Sequence, residues 1–336
     1  MQDGASLPAS SYTRSATVGG RSIPDLADPD LVHEAYAGGA TVVLQALHRT
    51  WPPLVGFCRQ LAGELGHPTQ CNAYVTPPGS RGFGAHYDTH DVFVLQVDGT
   101  KLWHVYDPVL TLPLRSQPSS ARTRGGDLLA ADASPLLSTV LGPGDALYLP
   151  RGYIHAAETA ENRSIHLTVG VAPITWYDVL SDALRLAGDQ EDFRQALPAD
   201  AQTEVPGFLR AAARWLEQLP PEQVSDIVRS RRERSLPVEP IGVLEQADVV
   251  RRLSATTPIR ARAGLSWSMS GDGEVVSLTL TDRSIAMPAV VEPALRRLLD
   301  GSAHTARSLA TVELSEPDVL VLLRRLLRER LVVPAP

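Results

Sequence analysis

The sequence is poor in several features that mark particular classes of protein. Of its 336 residues only two are cysteines, Cys58 and Cys71, too few for a disulfide framework and without the spacing of a metal site, which predicts two reduced, buried thiols. No apolar run approaches the length of a membrane-spanning helix, and the first residues lack a signal-peptide core, which predicts a cytoplasmic protein. The net charge of −7 argues against direct binding of nucleic acid.

Lysine is scarcer than any other charged residue. Lys101 is the one lysine among 31 basic residues, so the chain uses arginine almost wherever it needs positive charge. A compact ammonium suits a narrow pocket into which the planar guanidinium fits poorly. Because Lys101 follows Asp98, Gly99 and Thr100, a solvated turn residue is the alternative interpretation.

Histidine and aspartate cluster ahead of that lysine. His86, Asp88 and His90 alternate along an extended segment, so their side chains share one face. Two imidazoles and one carboxylate can hold one face of an octahedral Fe(II) and leave three positions open. We therefore predict His86, Asp88 and the more distant His155, which follows a turn, as metal ligands. The alternatives are a hydrolase that uses His90 in place of His155, and a ligand role for His166, for which a supporting or core role is preferred.

The pattern of apolar residues changes along the chain. A helical period at 52–65, ended by Gly66, precedes a series of short β-branched and aromatic segments bounded by glycine, proline and aspartate. Many short strands of this kind predict a jelly roll. From about residue 175 the apolar residues recur at helical spacing. The segment 255–336 is predicted to contain a strand, helices and a short terminal strand, an order typical of a winged helix.

Four motifs carry a family resemblance. They are NAYVTPPG at 72–79, GAHYD at 84–88, VFVLQVDGTKLW at 92–103, and PGD followed by LPRG and a histidine at 143–155. As a set they resemble the JmjC-type ribosomal oxygenases, protein hydroxylases of the cupin superfamily that depend on Fe(II) and 2-oxoglutarate. The match is strong over 36–176 and weak over the remainder.

The resemblance implies a separate role for each of the candidate residues. The three predicted ligands would hold Fe(II), and Lys101 with Tyr74 would bind the distal carboxylate of 2-oxoglutarate, whose other end chelates the metal. Asn72 would line the same pocket, and one coordination position would remain for O2. A plain core aromatic is the alternative for Tyr74.

The resemblance also implies the architecture. We expect a mainly β jelly roll (double-stranded β-helix) with a helical middle region and a C-terminal winged-helix-like domain. The expected parts are a flexible segment 1–21, a catalytic domain 22–176, a helical region 177–254 and a winged-helix-like domain 255–336. An apolar stripe at 208–219 predicts a homodimer contact, or else packing of that stripe on its own jelly roll.

The substrate is less closely defined. Family members hydroxylate arginine or histidine in ribosomal proteins, which makes a ribosomal protein the expected partner here. Two departures leave room for other substrates: the part before residue 22 is short, and Gly170 stands where a hydroxyl side chain contacts the co-substrate in some members. A hydroxylase of a peptide natural product and a metal-binding regulator without turnover remain as alternatives, although a regulator would not need Lys101 and Tyr74.

Overall fold

The chain forms two compact units, Met1–Pro173 and Ile174–Pro336. They are seen in a computed structural model that describes residues 1–2, 5–121, 129, 133–280 and 282–335. Within those ranges, no helix is both long enough and apolar enough to cross a membrane. Both cysteines are buried free thiols, as predicted.

The first unit is built mainly from β-strands. Its strands and α-helices are, in chain order, β1 (Thr13–Val18), β2 (Arg21–Ala27), α1 (Pro29–Ala37), β3 (Val42–Leu44), α2 (Leu47–Thr50), α3 (Pro52–Leu65), β4 (Thr69–Thr76), β5 (Asp91–Gly99), β6 (Lys101–Tyr106), β7 (Leu137–Leu141), β8 (Ala146–Leu149), β9 (Ile154–Glu158) and β10 (Ser164–Val171). One sheet has the order β3-β4-β10-β5-β8, and another has the order β7-β6-β9. All pairs in both sheets are antiparallel, and the predicted jelly-roll core is confirmed.

Helix α3 closes one side of the larger sheet. Prolines occupy its first turn, where the missing amide hydrogen costs nothing, and Gly66 ends it in the left-handed conformation at φ 68°. Leu54, Cys58 and Ala62, spaced by four residues, are its buried face. Leu54 and Cys58 belong to the same apolar cluster as Cys71 of β4. The apolar residues at helical spacing therefore form the face of α3 that packs on the sheet.

Strands β1 and β2 form a two-stranded hairpin before the jelly roll. Gly19 and Gly20, with φ of 58° and 77°, make its turn. The first strand lies within the segment 1–21 for which flexibility is expected, and pairing with β2 gives it regular structure. All residues of β2 are exposed, so the hairpin contributes little to the core.

The second unit is mainly helical. Its elements are α4 (Trp176–Arg185), α5 (Glu191–Arg194), α6 (Ala201–Glu217), α7 (Pro221–Ser235), α8 (Val243–Arg252), β11 (Ile259–Ala261), β12 (Trp267–Gly271), β13 (Val275–Leu280), β14 (Ser284–Pro288), α9 (Glu292–Leu298), α10 (Ala306–Leu309), α11 (Glu316–Arg328) and β15 (Val332–Pro334). Strand β11 pairs with β15, and β12, β13 and β14 form a second small sheet. Helix α11 begins at the cap Ser315 and buries five residues at helical spacing: Val319, Leu322, Leu323, Leu326 and Leu327.

Candidate metal centre and its cavity

Three side chains predicted as metal ligands come together in one cavity of the jelly roll. One ligand atom each from His86, Asp88 and His155 lies within 4.8 Å of the other two. The His155 Nε2 atom is 3.7 Å from Asp88 Oδ2, and the two imidazole ring centres are 4.4 Å apart. The cavity that they line has a volume of ≈ 200 Å³. Two nitrogens and one carboxylate oxygen so placed form the donor set that non-haem Fe(II) takes.

The backbone fixes this arrangement directly. The amide of His86 donates to the carbonyl of His155 at 3.1 Å, and the amide of His155 donates back at 2.8 Å. The turn before β9 is held by Gly152, whose amide donates to the Asp88 carbonyl at 3.0 Å. Gly152 has a φ of 91°, and a Cβ there would lie 2.3 Å from the Leu110 carbonyl oxygen, so only glycine suits this position.

Hydrogen bonds orient both imidazoles. The Nδ1 of His86 is 2.8 Å from the Gly84 carbonyl, and the Nδ1 of His155 is 3.2 Å from the Tyr153 carbonyl. Since a carbonyl only accepts, each Nδ1 carries the hydrogen and each Nε2 keeps its lone pair for a metal. Burial, followed by the nearby His86, lowers the pKa of His155 to about 4, which keeps this ring neutral at neutral pH.

His90 lines the same cavity but is not one of the three grouped ligands. Its Nε2 is 3.4 Å from the amide nitrogen of Gln70 on β4. Among the residues that the structure describes, the one group with metal-ligand spacing contains His155 in its place. The contiguous triplet required by the hydrolase alternative is therefore not the set that the fold assembles.

Lys101 is the first residue of β6 and is buried, with 4% of its surface exposed. Its ammonium donates to Thr76 Oγ1 at 3.1 Å. Within the described ranges it forms no ion pair with a carboxylate, and burial lowers its pKa to about 8. The solvated-turn alternative is excluded by this burial, and the charge needs an anion that the described residues do not supply.

Aromatic rings line the same cavity as this ammonium. Tyr74 stacks on His166 with ring centres 4.9 Å apart, and Trp103 meets His166 edge-on at 5.5 Å. Burial, then the negative charge of Asp88, raises the pKa of Tyr74. Burial, then the charge of Lys101, lowers the pKa of His166 well below its usual range. Trp103 Nε1 and His166 Nδ1 are buried and have no hydrogen-bond partner among the described residues.

The remaining cavity residues follow the alternation of two paired strands. Tyr74, Asn72 and Gln70 of β4 lie opposite His166, Thr168 and Gly170 of β10. Asn72 Oδ1 accepts from the Ala46 amide at 2.9 Å, which leaves its amide nitrogen available to the cavity. Sequence reasoning did not find the cavity residues Gln70, Trp103 and Thr168. The alternation along the two strands is the signal that points to Gln70 and Thr168 once Tyr74 is placed.

Two comparisons at the level of sequence relate this jelly roll to known proteins. A family model described as the JmjC domain matches residues 55–179. Ribosomal oxygenase 1 of Rattus norvegicus is 38% identical over 187 residues, which cover 53% of this chain and 30% of that protein. The bifunctional lysine-specific demethylase and histidyl-hydroxylase NO66 of Drosophila persimilis is 39% identical over 144 residues, covering 41% of this chain and 20% of that protein. The chain thus spans less than a third of the length of these curated relatives.

Solved structures with a similar fold extend over more of the chain. The ribosomal oxygenase YcfD of Escherichia coli superposes with a TM-score of 0.52 at 19% identity, covering 96% of this chain and 85% of that one. Its complex with cobalt and 2-oxoglutarate gives a TM-score of 0.50 at 20% identity, covering 95% and 85%. At such identities the likeness concerns the fold, and it agrees with the jelly-roll core.

Proposed function

We propose that this chain is an Fe(II)- and 2-oxoglutarate-dependent oxygenase that hydroxylates a ribosomal protein, since its residues 55–179 match the JmjC domain and its sequence is similar to that of ribosomal oxygenase 1. One observation carries the proposal: His86, Asp88 and His155, which have the spacing of metal ligands, share their cavity with a buried ammonium, Lys101, that has no carboxylate partner in the described part of the chain.

The residues present fit an Fe(II) ion. His86 and His155 would bind it through Nε2, since their Nδ1 atoms face carbonyls, and Asp88 would supply a carboxylate oxygen. When bound, the metal activates O2 so that 2-oxoglutarate is converted to succinate and CO2 while one oxygen atom enters a C–H bond of the substrate. The protein's part is to bind, orient and exclude water.

The buried ammonium fits the distal carboxylate of 2-oxoglutarate. A buried cation without an anion is costly, so Lys101 is best explained by a bound carboxylate that forms a charge-assisted hydrogen bond with it. Trp103 Nε1 is a second donor without a partner in the described structure. The hydroxyl of Tyr74 is held protonated by its raised pKa and would donate to the same carboxylate.

The cavity lining favours a histidine target over an arginine target. Asp88 is the one carboxylate among the described lining residues, and it belongs to the metal group. A guanidinium, which is always charged, would need a carboxylate of its own, and the described lining offers none besides Asp88. A neutral imidazole needs no such carboxylate, and the relative from Drosophila persimilis is named as a histidyl-hydroxylase.

The proposal is tested by turnover and by mass spectrometry. Purified protein with Fe(II) and O2 should convert 2-oxoglutarate to succinate, and ribosomal proteins from cells with the gene should carry one oxygen atom that is absent without it. Failure of the protein to bind or convert 2-oxoglutarate even with candidate substrates would overturn the proposal and favour a metal-binding regulator. Turnover with unmodified ribosomal proteins would instead favour a peptide natural product as substrate.

The second unit supports a further part of the proposal, a homodimer. Phe208 and Leu209 of α6 are 56% and 59% exposed, and Trp176 and Tyr177 of α4 are 79% and 60% exposed. Apolar surface on this scale is typical of an interface. A dimer should appear by light scattering, and Phe208→Glu should shift it to monomer.

We also propose that residues 255–336 form a winged-helix-like domain without direct nucleic-acid contact. A ribosomal substrate would further imply that the protein is cytoplasmic.

A further inference from the structure

Gly170 and His90 share one space in the wall of the cavity. Gly170 lies inside β10, buried and in extended backbone, a conformation that any residue adopts. A Cβ at this position would lie 2.6 Å from Cδ2 and 2.8 Å from Nε2 of His90. A side chain at position 170 would therefore displace the His90 ring and also crowd Gln70, whose Cγ would lie 3.1 Å from the Cβ.

The register of β4 and β10 puts this ring away from the co-substrate end. Lys101 lies near His166, because its charge acts on that ring, and His166 is paired with Tyr74. Gly170 is four residues further along β10, a distance of about 13 Å at ~3.3 Å per residue. A five-carbon diacid anchored at Lys101 extends over about half of that span. The His90 ring beside Gly170 is therefore separated from the ring nearest Lys101 by four residues of the cavity wall.

We infer that His90, oriented by Gln70, contacts the side chain that is hydroxylated, and that Gly170 is the residue that admits this contact. This inference rests on the proposed function, and it assigns substrate selection to the part of the cavity wall that His90, Gln70 and Gly170 form. His90 lines the cavity two residues after Asp88, so a group that touches this ring lies beside the metal ligands.

The chemistry of this wall fits a neutral nitrogen-bearing side chain. The Gln70 amide nitrogen is 3.4 Å from His90 Nε2. Since an amide nitrogen only donates, His90 accepts at Nε2 and carries its hydrogen on Nδ1. A donor at His90 Nδ1 and an acceptor at Gln70 Oε1 then remain, a pair that matches the two nitrogens of an imidazole.

Four variants test the assignment. His90→Ala removes the contact, His90→Gln restores a hydrogen-bonding group, and Gly170→Ala displaces the ring. Gly63→Ala on α3 is the matched control, because a Cβ there meets nothing within 4 Å. Two quantities are compared: the ratio of oxygen incorporated into extracted ribosomal proteins to succinate formed, and the affinity for 2-oxoglutarate with Mn(II), measured without turnover.

We expect His90→Ala and Gly170→Ala to lower the ratio by at least about fivefold, the loss of one hydrogen bond, while the affinity for 2-oxoglutarate changes less than about twofold. His90→Gln should recover part of the ratio. Gly170→Ala should cause a smaller loss in the His90→Ala background than in the wild type, because the added methyl group then has no ring to displace and meets only Gln70 Cγ at 3.1 Å.

Two negative outcomes are distinguishable. If wild-type protein consumes 2-oxoglutarate and modifies ribosomal proteins but His90→Ala keeps the wild-type ratio, the role of His90 is overturned and the proposed function stands. If wild-type protein neither binds nor converts 2-oxoglutarate, the proposed function is overturned together with this inference. Loss of 2-oxoglutarate affinity in Gly170→Ala would show a general disturbance of the cavity and would also overturn the assignment.

Discussion

The two units differ in what they bury. The second unit has one large apolar cluster that runs from Leu253 to Val332, and Gln246 is its one buried polar residue among those described. The first unit has two smaller apolar clusters, and its buried residues include Lys101, His155 and His166. Buried polar groups without full hydrogen bonding destabilise a fold, so the first unit keeps them for another reason. The proposed binding of a metal and a dicarboxylate would supply that reason.

The largest expected effect comes from removing a ligand in the first unit. His155→Ala should lower 2-oxoglutarate turnover at least about a hundredfold and abolish stoichiometric metal binding, because two ligands hold Fe(II) poorly. His33→Ala, an exposed histidine on α1, is the control and should behave like wild type. Metal content by elemental analysis and succinate formation measure the two effects. A His155→Ala protein that kept both metal and turnover would return His90 to the set of ligands.

A substitution in the second unit should change stability instead. Leu323→Ala in α11 removes a fully buried side chain and should lower the free energy of unfolding by about 3 kcal/mol, the usual cost of such a cavity. Val321→Ala on the same helix, 64% exposed, should change it by less than about 0.5 kcal/mol. Equal losses in denaturant unfolding would show that the apolar cluster does not hold this unit together.

Lys101→Met should produce opposite effects on binding and on stability. Burial lowers the pKa of Lys101 from 10.5 to about 8, which corresponds to a destabilisation on the order of 3 kcal/mol at neutral pH. Replacing the charge with an apolar side chain should therefore stabilise the ligand-free protein by about 1–3 kcal/mol and abolish 2-oxoglutarate binding. Unfolding and binding measurements on one preparation test both. A destabilised variant that still binds 2-oxoglutarate would contradict the account.

The lowered pKa of Lys101 also predicts how the stability of the folded protein depends on pH. Between about pH 8 and 10.5 the unfolded chain holds a proton on Lys101 that the folded chain has lost, so the contribution of this residue to stability rises with pH across that window. Lys101→Met should remove this rise. An unchanged slope in the variant would show that Lys101 is not the group responsible.

The smallest expected effect is at the surface of the first unit. Arg81 and Glu158 form an ion pair at 2.7 Å, but the arginine side chain is 75% exposed. Arg81→Ala should lower the free energy of unfolding by less than about 1 kcal/mol, and the loss should shrink in high salt. A loss of several kcal/mol that is independent of salt would show that this pair is a structural contact.

Local sequence signals predicted the parts of the fold that depend on neighbouring residues. The helix at 52–65 ends at Gly66 as expected, and the one lysine is buried in the cavity. Contacts between strands that are distant in the chain could not be predicted, because no local sequence pattern indicates that β4 pairs with β10. For that reason the sequence identified Gly170 as a departure from the family but not the ring of His90 that fills its place.

The most direct test of the account is a calorimetric titration of 2-oxoglutarate into the protein with and without Mn(II), which replaces Fe(II) without turnover. One molecule of 2-oxoglutarate should bind per chain when the metal is present, binding should be much weaker when the metal is absent, and Lys101→Met should bind none. Binding of equal strength without the metal, or no binding with it, would contradict the claim that His86, Asp88, His155 and Lys101 form one site for a metal and a dicarboxylate.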